Sequence, residues 1–165
     1  MHTSRRQFIK TATAAATVLT GSRLNTYAET SKLTAPRFQI SLAQWSLNRT
    51  LRNGQLSNLD FPKYTKDTFG IHAVEYVNSF FKDKAKDQTY LKDLKSRTSS
   101  EGIRNVLIMC DREGDIGAKT KQARATTVDN HKKWVEAARF LGCHSIRVNA
   151  RGPGSREEVA KQVSD

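Results

Sequence analysis

The chain of 165 residues is 37% hydrophobic and 27% charged, a composition that fits one globular domain and excludes collagen-like, coiled-coil and disulfide-scaffold proteins. No apolar run approaches the roughly 20 residues that a membrane-spanning helix needs. The 28 basic and 16 acidic residues give a net charge of +12, and the charge without residues 1–28, which hold four basic residues and no acid, is still +8. A charge of this sign makes nucleic acid a partner that has to be weighed.

The first segment of the chain has the order of a signal peptide. A basic head is followed by a mildly apolar stretch over 12–19 and by small residues up to Ala28. The head carries Arg5, Arg6 and Phe8, which resemble the twin-arginine export signal. We therefore expect residues 1–28 to be a twin-arginine signal peptide and residues 29–37 a linker. The mature protein is then expected in the periplasm, with the twin-arginine export machinery as a partner.

Strand patterns and helix patterns alternate from Phe38 onward. The strand-like segments cover 38–47, 73–78, 105–111 and 145–149. The helix patterns cover about 60–69, 88–101 and 127–141, and a fourth helix is predicted to begin after the capping-box residue Ser155. The third helix carries an apolar stripe of residues predicted to be buried, namely Val128, His131, Trp134, Val135, Ala138 and Leu141.

This alternation predicts an α/β fold with a parallel sheet. A (β/α)8 barrel of the TIM type fits, in which four βα units make a half barrel, and a doubly wound sheet fits as well. The segment 48–54 after the first strand lacks the G-x-G-x-x-G turn of dinucleotide-binding sheets, which counts against the second architecture. Composition alone leaves the two architectures close to even.

Six stretches of the chain carry a resemblance to a known family. They are SLAQWSL at 41–47, LDFP at 59–62, GIHAVEYVN at 70–78, NVLIMCD at 105–111, NHKKWVEAA at 130–138 and GCHSIRVN at 142–149. Together they resemble the exported branch of the xylose isomerase-like barrel family, often called sugar phosphate isomerases or epimerases. The resemblance implies that residues 38–165 are the N-terminal half of such a TIM barrel.

The resemblance also implies a function. Members of this family are carbohydrate isomerases or epimerases in which a divalent metal (Mn, Co, Mg or Zn) assists proton transfer beside a sugar carbonyl. Relatives hold the metal through Glu, Asp, His and Glu on strands five to eight, which have no counterpart among the four units seen here. We therefore expect this chain alone to have no metal site and no isomerase activity. Open edges on a half barrel are also expected to favour self-association into a homo-oligomer.

Strand alternation selects the residues that would face the inside of a barrel. Glu75 on the second strand and Arg147 on the fourth are predicted to point inward and to lie within pairing reach, either as a polar floor for sugar hydroxyls or as a structural ion pair. Active sites of these barrels lie at the C-terminal ends of the strands. The further candidates for a substrate pocket are Gln44, Trp45, Asp111 and Asn149. Amides and carboxylates suit sugar hydroxyls and an aromatic face suits the sugar ring, although one of Gln44 and Trp45 must face away.

Two loops have weaker signals. The segment 111–117 resembles the start of a calcium loop, but Ile116 stands where glycine is required and Gln122 where glutamate is required, so we expect a solvated acidic lid instead. The segment 151–155 leads into a helix N-terminus, which favours anions. A bound phosphate or carboxylate is one interpretation of this segment, and an ordinary turn with a helix cap is the other.

The histidines and cysteines predict no catalytic or metal site. His131 lies on the apolar stripe and is expected to be a packed side chain, whereas His72 and His144 precede strands and belong to the opposite edge of the sheet. Cys110 ends one strand and Cys143 precedes the next, so the two thiols are expected too far apart for a disulfide.

Two other functions are alternatives to this one, and the second of them is disfavoured. The chain is read alternatively as a non-catalytic, truncated or carbohydrate-binding barrel fragment. The same barrel family also includes abasic-site endonucleases, and the charge of +8 is compatible with DNA. No histidine lies at the end of an early strand, however, so neither DNA repair nor a nucleic-acid partner is expected.

Overall fold

Four parallel strands form the sheet at the centre of the fold. The computed structural model describes residues 38–165, so the predicted signal peptide with Arg5, Arg6 and Phe8 and the predicted linker 29–37 lie outside the described residues. The strands pair in the order β1-β2-β3-β4 and are all parallel. Their bounds are Leu42–Ala43 (β1), Ala73–Val77 (β2), Arg104–Cys110 (β3) and Ser145–Val148 (β4). The predicted α/β class with a parallel sheet is confirmed.

Within residues 38–165, five α-helices connect and follow the strands. They are Asn48–Arg52 (α1), Phe61–Phe69 (α2), Gln88–Ser100 (α3), Lys121–Leu141 (α4) and Arg156–Val163 (α5), with short 3-10 turns at Gln44–Leu47, Asn78–Phe80 and Lys82–Lys84. Gly142 ends α4 with φ of 81°, a left-handed conformation that favours glycine. The predicted capping box is confirmed, because Ser155 and Glu158 exchange side chain-to-backbone hydrogen bonds at the start of α5.

One face of the sheet packs against the helices and forms the core. Val74, Tyr76 and Ile108 of this face are fully buried in one cluster with Trp134 of α4. The cluster also takes in residues of the other two flanking helices, namely Phe61, Leu91 and Leu94. The pairing between β2 and β3 shifts by one residue after Val74, so that Glu75 lies level with Leu107. The opposite face of the sheet borders a cavity that is described below.

The first strand is much shorter than predicted. The pattern over 38–47 predicts one strand, but β1 covers only Leu42–Ala43, and Phe38 and Ile40 are 76% and 68% exposed. The chain turns into a 3-10 helix at Gln44, whose buried side chain accepts a hydrogen bond from the backbone N–H of Val77 at 2.7 Å. Because the Gln44 side chain binds the backbone of β2 at this point, β1 ends early.

The third predicted helix is longer than its apolar stripe. Helix α4 begins at Lys121 instead of near 127, since Thr120 caps it through the N–H of Ala123 at 3.2 Å. The prediction that Val128 and Val135 are buried is wrong, because they are 48% and 52% exposed. No helix within residues 38–165 has the length and apolar character needed to span a bilayer.

Candidate functional site

Two neighbouring cavities open at the edge of the sheet where the strands end. The first, here called the sheet cavity, has a volume of about 590 Å³ and lies over the face without helices. Its lining includes Ala43, Trp45, Glu75, Val77, Leu107, Met109, Asp111, Arg147 and Asn149. The second, here called the loop cavity, has a volume of about 440 Å³. Its lining includes Trp45, Arg52, Ser79, Cys110, Asp111, Arg112, His131, Asn149 and Arg151.

Five of the six predicted pocket residues line the sheet cavity. They are Trp45, Glu75, Asp111, Arg147 and Asn149. Three of the five also line the loop cavity, namely Trp45, Asp111 and Asn149. The structure therefore brings these candidates together at the C-terminal ends of the strands, where ligands of parallel α/β sheets bind.

Gln44 is the candidate that lines neither cavity. Its side chain is fully buried, accepts from Val77 and donates through Nε2 to Asn58 Oδ1 at 2.5 Å. Asn58 in turn donates to the Tyr90 hydroxyl at 2.6 Å. Gln44 therefore joins β2 to the loop before α2 and supports the site from behind. As expected for this pair of neighbours, Gln44 faces away and Trp45 faces the cavities.

Trp45 offers an aromatic face at the boundary between the two cavities. It is 45% exposed, and the guanidinium of Arg52 lies 5.1 Å from the centre of its ring. Its backbone carbonyl accepts from Asn48 Nδ2 at 2.7 Å, which ties the residue to the first turn of α1. A half-exposed ring held in this way is suited to stack on the apolar side of a ligand.

Glu75 and Arg147 share the inner face of the sheet, but they do not pair. The predicted ion pair is wrong, since Glu75 accepts from Ser41 Oγ at 2.5 Å while Arg147 contacts Met109 Sδ and donates to Asn149. The strand register gives the reason: Glu75 lies level with Leu107, whereas Arg147 lies one pleat higher, level with Met109. With β3 between them, the two Cα atoms are ~11 Å apart on sheet spacings.

Arg147 instead begins a chain of hydrogen bonds along the sheet edge. Arg147 Nη2 donates to Asn149 Oδ1 at 3.1 Å, and Asn149 Nδ2 donates to Asp111 Oδ1 at 3.1 Å. This alternation fixes the orientation of the Asn149 amide. It also leaves the second carboxylate oxygen of Asp111 without a hydrogen-bond partner in residues 38–165, on a residue that lines both cavities.

The backbone of Asp111 is held by the side chain of Asn78. Asn78 Oδ1 accepts from the Asp111 N–H at 2.9 Å, and Asn78 Nδ2 donates to the Asp111 carbonyl at 3.0 Å. Asn78 is 1% exposed and follows β2 directly. Its amide therefore bridges the ends of β2 and β3 and sets the position of Asp111.

The loop after Asp111 is anchored inward at Glu113. The prediction of a solvated acidic lid is wrong for this residue, because its carboxylate accepts from Trp134 Nε1 at 2.7 Å, Lys133 Nζ at 2.9 Å and Asn78 Nδ2 at 3.1 Å. Burial raises the pKa of the Glu113 carboxyl, but hydrogen bonds from Lys133 and Trp134 outweigh this effect and hold that pKa below its usual value. Glu113 is therefore an ionised anchor for the loop.

The surroundings of both cysteines disfavour the reactive thiolate form. Burial, together with the nearby charges of Glu113 and Asp111, raises the pKa of the Cys110 thiol to about 12. Burial also raises the pKa of Cys143 to about 12. Both are free thiols, and Cys110 borders the loop cavity as a neutral wall.

Sequence reasoning missed His131 as a residue of the site. The prediction that it is packed is confirmed, since it is only 7% exposed, yet it also lines the loop cavity. Its Nδ1 lies 2.7 Å from the carbonyl oxygen of Thr127. A carbonyl only accepts, so Nδ1 carries the proton and Nε2 is the acceptor of the neutral ring. The sequence does not show whether a histidine on the apolar face of a helix lies at the edge of that face, where it can border a cavity, or at its centre.

The turn before α5 uses two of its backbone N–H groups for the helix cap. The N–H groups of Ser155 and Glu158 are both occupied by the capping box. Arg151 Nε donates to Asp115 Oδ1 at 2.8 Å, which ties this turn to the loop after β3. The interpretation as a turn with a helix cap therefore fits the geometry better than an anion bound at the helix end.

The described residues do not fit a divalent metal. Within 38–165, no three or more His, Cys, Asp or Glu side chains converge, and Asp111 is accompanied by arginines instead.

The chain was also compared with known proteins. No protein-family model and no curated protein matches it.

Proposed function

We propose that residues 38–165 are a carbohydrate-binding half of a (β/α)8 barrel of the xylose isomerase-like kind. The observation that carries this proposal is the sheet cavity, in which an aromatic face, two carboxylates, an amide and a guanidinium border one space of about 590 Å³. Sugars need this combination of donors and acceptors for their hydroxyls and a flat apolar wall for the ring. The size falls within the range of small-molecule sites.

The strand order supports a barrel over a doubly wound sheet. Each strand lies beside its neighbour in the sequence, β1-β2-β3-β4. A doubly wound sheet reverses direction from an inner strand, which gives orders such as 3-2-1-4. Consecutive parallel order with helices over one face is the winding of a barrel, in which the other face becomes the inside.

The isomerase or epimerase chemistry rests on the resemblance carried by the sequence. That chemistry moves a proton between a sugar carbon and a carboxylate beside the carbonyl. Asp111 has one carboxylate oxygen left open to the cavities, and the Asn149 amide holds the other. This chain therefore contributes sugar binding and orientation to the proposed reaction, in a protein exported by the twin-arginine route.

The proposal is tested by titrating the full chain with D-glucose, D-xylose and D-fructose while its amide and indole NMR signals are recorded. We expect the signals of Trp45, Asp111 and Asn149 to shift together. Trp45→Ala should weaken sugar binding by about tenfold through the loss of stacking. Phe69→Ala is the matched control, because Phe69 is a similarly exposed aromatic residue at 47% on α2, away from the site.

Two results would contradict the proposal. Shifts scattered over the surface, or equal effects of the Trp45 and Phe69 variants, would remove the sheet cavity as a sugar site. Conversion of D-fructose by the chain with added Mn²⁺ would show that these four βα units already hold complete catalytic machinery, so that binding and orientation would not be their whole contribution.

A further inference from the structure

The sheet has two open edges in the part of the chain that the structure describes. β1 and β4 are the outer strands of the order β1-β2-β3-β4, and within residues 38–165 each pairs with one neighbour only. An open edge presents backbone N–H and C=O groups that pair readily with another strand. Eight strands close a barrel of this winding, so four further parallel strands would pair both edges and cover the face without helices.

The side chains on that face have the register of a barrel layer. Glu75 is level with Leu107 on β3, and Leu107 is level with Ser145 on β4. In an eight-stranded barrel with a shear of eight, the strands tilt, so a horizontal layer rises by one residue toward the C-terminus at each successive strand. Two strands after Glu75 the layer therefore passes through Arg147. The offset that separates these two side chains along the sheet places them in one layer of a closed barrel.

The charges in this layer suit a second copy of the same chain. A barrel layer takes four side chains from alternate strands, and this chain supplies one acid and one base. Neither forms an ion pair in the described residues, since Glu75 accepts from Ser41 while Arg147 contacts Met109 and donates to Asn149. A second copy, related by a two-fold axis along the barrel, makes the order round the layer Glu, Arg, Glu, Arg. Each charge then lies between two of opposite sign, as buried charges require.

Two apolar surfaces at the open edges also complement each other. Ile40 is 68% exposed, and strand alternation places it on the same side as Leu42, which packs against the core. Helix α5 has no buried residue, and its Val159 and Val163 are half-buried. A helix of such a barrel packs outside the strand before it and the strand after it. In a two-fold assembly, α5 of one copy therefore covers the segment before β1 of the other.

We propose that the open face of the sheet binds a second copy of this chain, so that two half barrels close one eight-stranded barrel. β4 of each copy lies beside β1 of the other, and the closed ring leaves no strand edge open. The layer of Glu75 and Arg147 fills the lower part of the sheet cavity, whereas Trp45, Asp111 and Asn149 stay at the mouth. The inference rests on the barrel winding in the proposed function and not on its sugar binding.

The mass of the full chain in solution tests the number of copies. Light scattering during size-exclusion chromatography at micromolar concentration should give twice the 18.6 kDa of one chain. A single chain under these conditions leaves the face to another occupant and overturns the proposal. A series of larger assemblies would show that the edges join without closing a ring, which overturns it too.

Charge variants test the layer. Glu75→Lys makes all four of its charges positive, and Arg147→Glu makes all four negative. Each should weaken the dimer by more than about a hundredfold, because buried charges then lack partners of opposite sign. The double variant Glu75→Arg with Arg147→Glu restores the alternation and should restore the dimer. Arg104→Glu is the matched control, because Arg104 is an exposed arginine at the first residue of β3, outside this layer.

An apolar variant tests the second contact. Ile40→Gln changes a side chain that is exposed in the single chain, so that chain should fold normally while the dimer weakens by about tenfold or more. Val135→Gln on α4 is its control, because Val135 is 52% exposed on a helix far along the chain from both edges. If a charge variant does not fold, as circular dichroism would show, Ile40→Gln still decides the question.

The outcomes separate this inference from the carbohydrate function. A dimer lost in the single charge variants and regained in the double variant supports the closed barrel. A dimer that the charge variants leave intact, or equal effects of Ile40→Gln and Val135→Gln, overturns the sheet face as the interface. A monomeric chain that still binds sugar at Trp45, Asp111 and Asn149 overturns the dimer alone, whereas a dimer without sugar binding overturns the carbohydrate function alone.

Discussion

Removal of the Glu113 carboxylate should destabilise the domain by an amount that the structure sets. Its three donors have different surroundings: Trp134 is fully buried, Asn78 is 1% exposed, and the side chain of Lys133 is 32% exposed. In Glu113→Ala the indole N–H loses its acceptor without access to water, at a cost of about 1–3 kcal/mol. Lys133 rehydrates and adds only about 0–1 kcal/mol. We expect a total loss of about 2–3 kcal/mol in the free energy of unfolding.

Urea unfolding of the full chain, followed by the fluorescence of Trp45 and the buried Trp134, measures this loss. Glu113→Gln keeps an oxygen for the indole and should lose only about 1 kcal/mol, the net value of an ordinary hydrogen bond. Glu136→Ala is the control, because Glu136 is exposed on α4, the helix that holds Trp134, and forms no ion pair in the described residues. This control should change the free energy of unfolding by no more than about 0.5 kcal/mol. If Glu113→Ala costs no more than Glu136→Ala, the anchor assigned to Glu113 is wrong.

The same carboxylate predicts a pH dependence with a definite sign. Although burial opposes it, the hydrogen bonds from Lys133 and Trp134 lower the pKa of Glu113 below its ordinary value of 4.5. A lowered folded-state pKa contributes stability that is present above the ordinary value and is lost as pH falls through the folded value. The stability difference between the native chain and Glu113→Gln should therefore shrink as unfolding is measured below pH 4.5. A difference that stays constant there would contradict the assignment.

Three further outcomes are expected. Gly152→Ala should lower the melting temperature and disturb the turn before α5, because a Cβ there would overlap the backbone of Gly117; an unchanged melting temperature would show that the turn yields. Both Cys110 and Cys143 should resist iodoacetamide at pH 8 in the folded chain and react after unfolding, since each has a pKa raised to about 12; rapid labelling of the native chain would contradict this. Lysine in place of both arginines of the twin pair should block export, measured by cell fractionation, and undiminished export would remove the signal-peptide interpretation.

The sequence predicted the sheet well because its signals there are local. Three of the four strands are short apolar runs between glycine-terminated helices, and these came close to their true bounds. The first strand failed because its apolar alternation over 38–47 says nothing about where the Gln44 side chain binds. The start of α4 failed for a related reason: its first turns face water and carry no apolar stripe, although Thr120 caps them.

The sequence identified most residues of the candidate site, but it did not predict which contacts they make. Position at a strand end identified Trp45, Asp111 and Asn149 without knowledge of any partner. Whether Glu75 meets Arg147 depends on the register across β2, β3 and β4, which no single strand reveals. His131 was expected only to be packed and Arg112 was not selected, since a residue on a helix or in a loop comes to line a cavity only through the packing of distant segments.

The side chain of Asn78 has a consequence for how this molecule tolerates change. Its amide binds both backbone groups of Asp111, the N–H through Oδ1 and the carbonyl through Nδ2. These two hydrogen bonds extend the connection between β2 and β3 beyond the last paired strand residues. They hold the ends of the two strands at a fixed spacing. Exposed positions of loops 79–87 and 112–120 can therefore vary while the strand framework stays unaltered, provided that the buried Phe81 and the anchor Glu113 are kept.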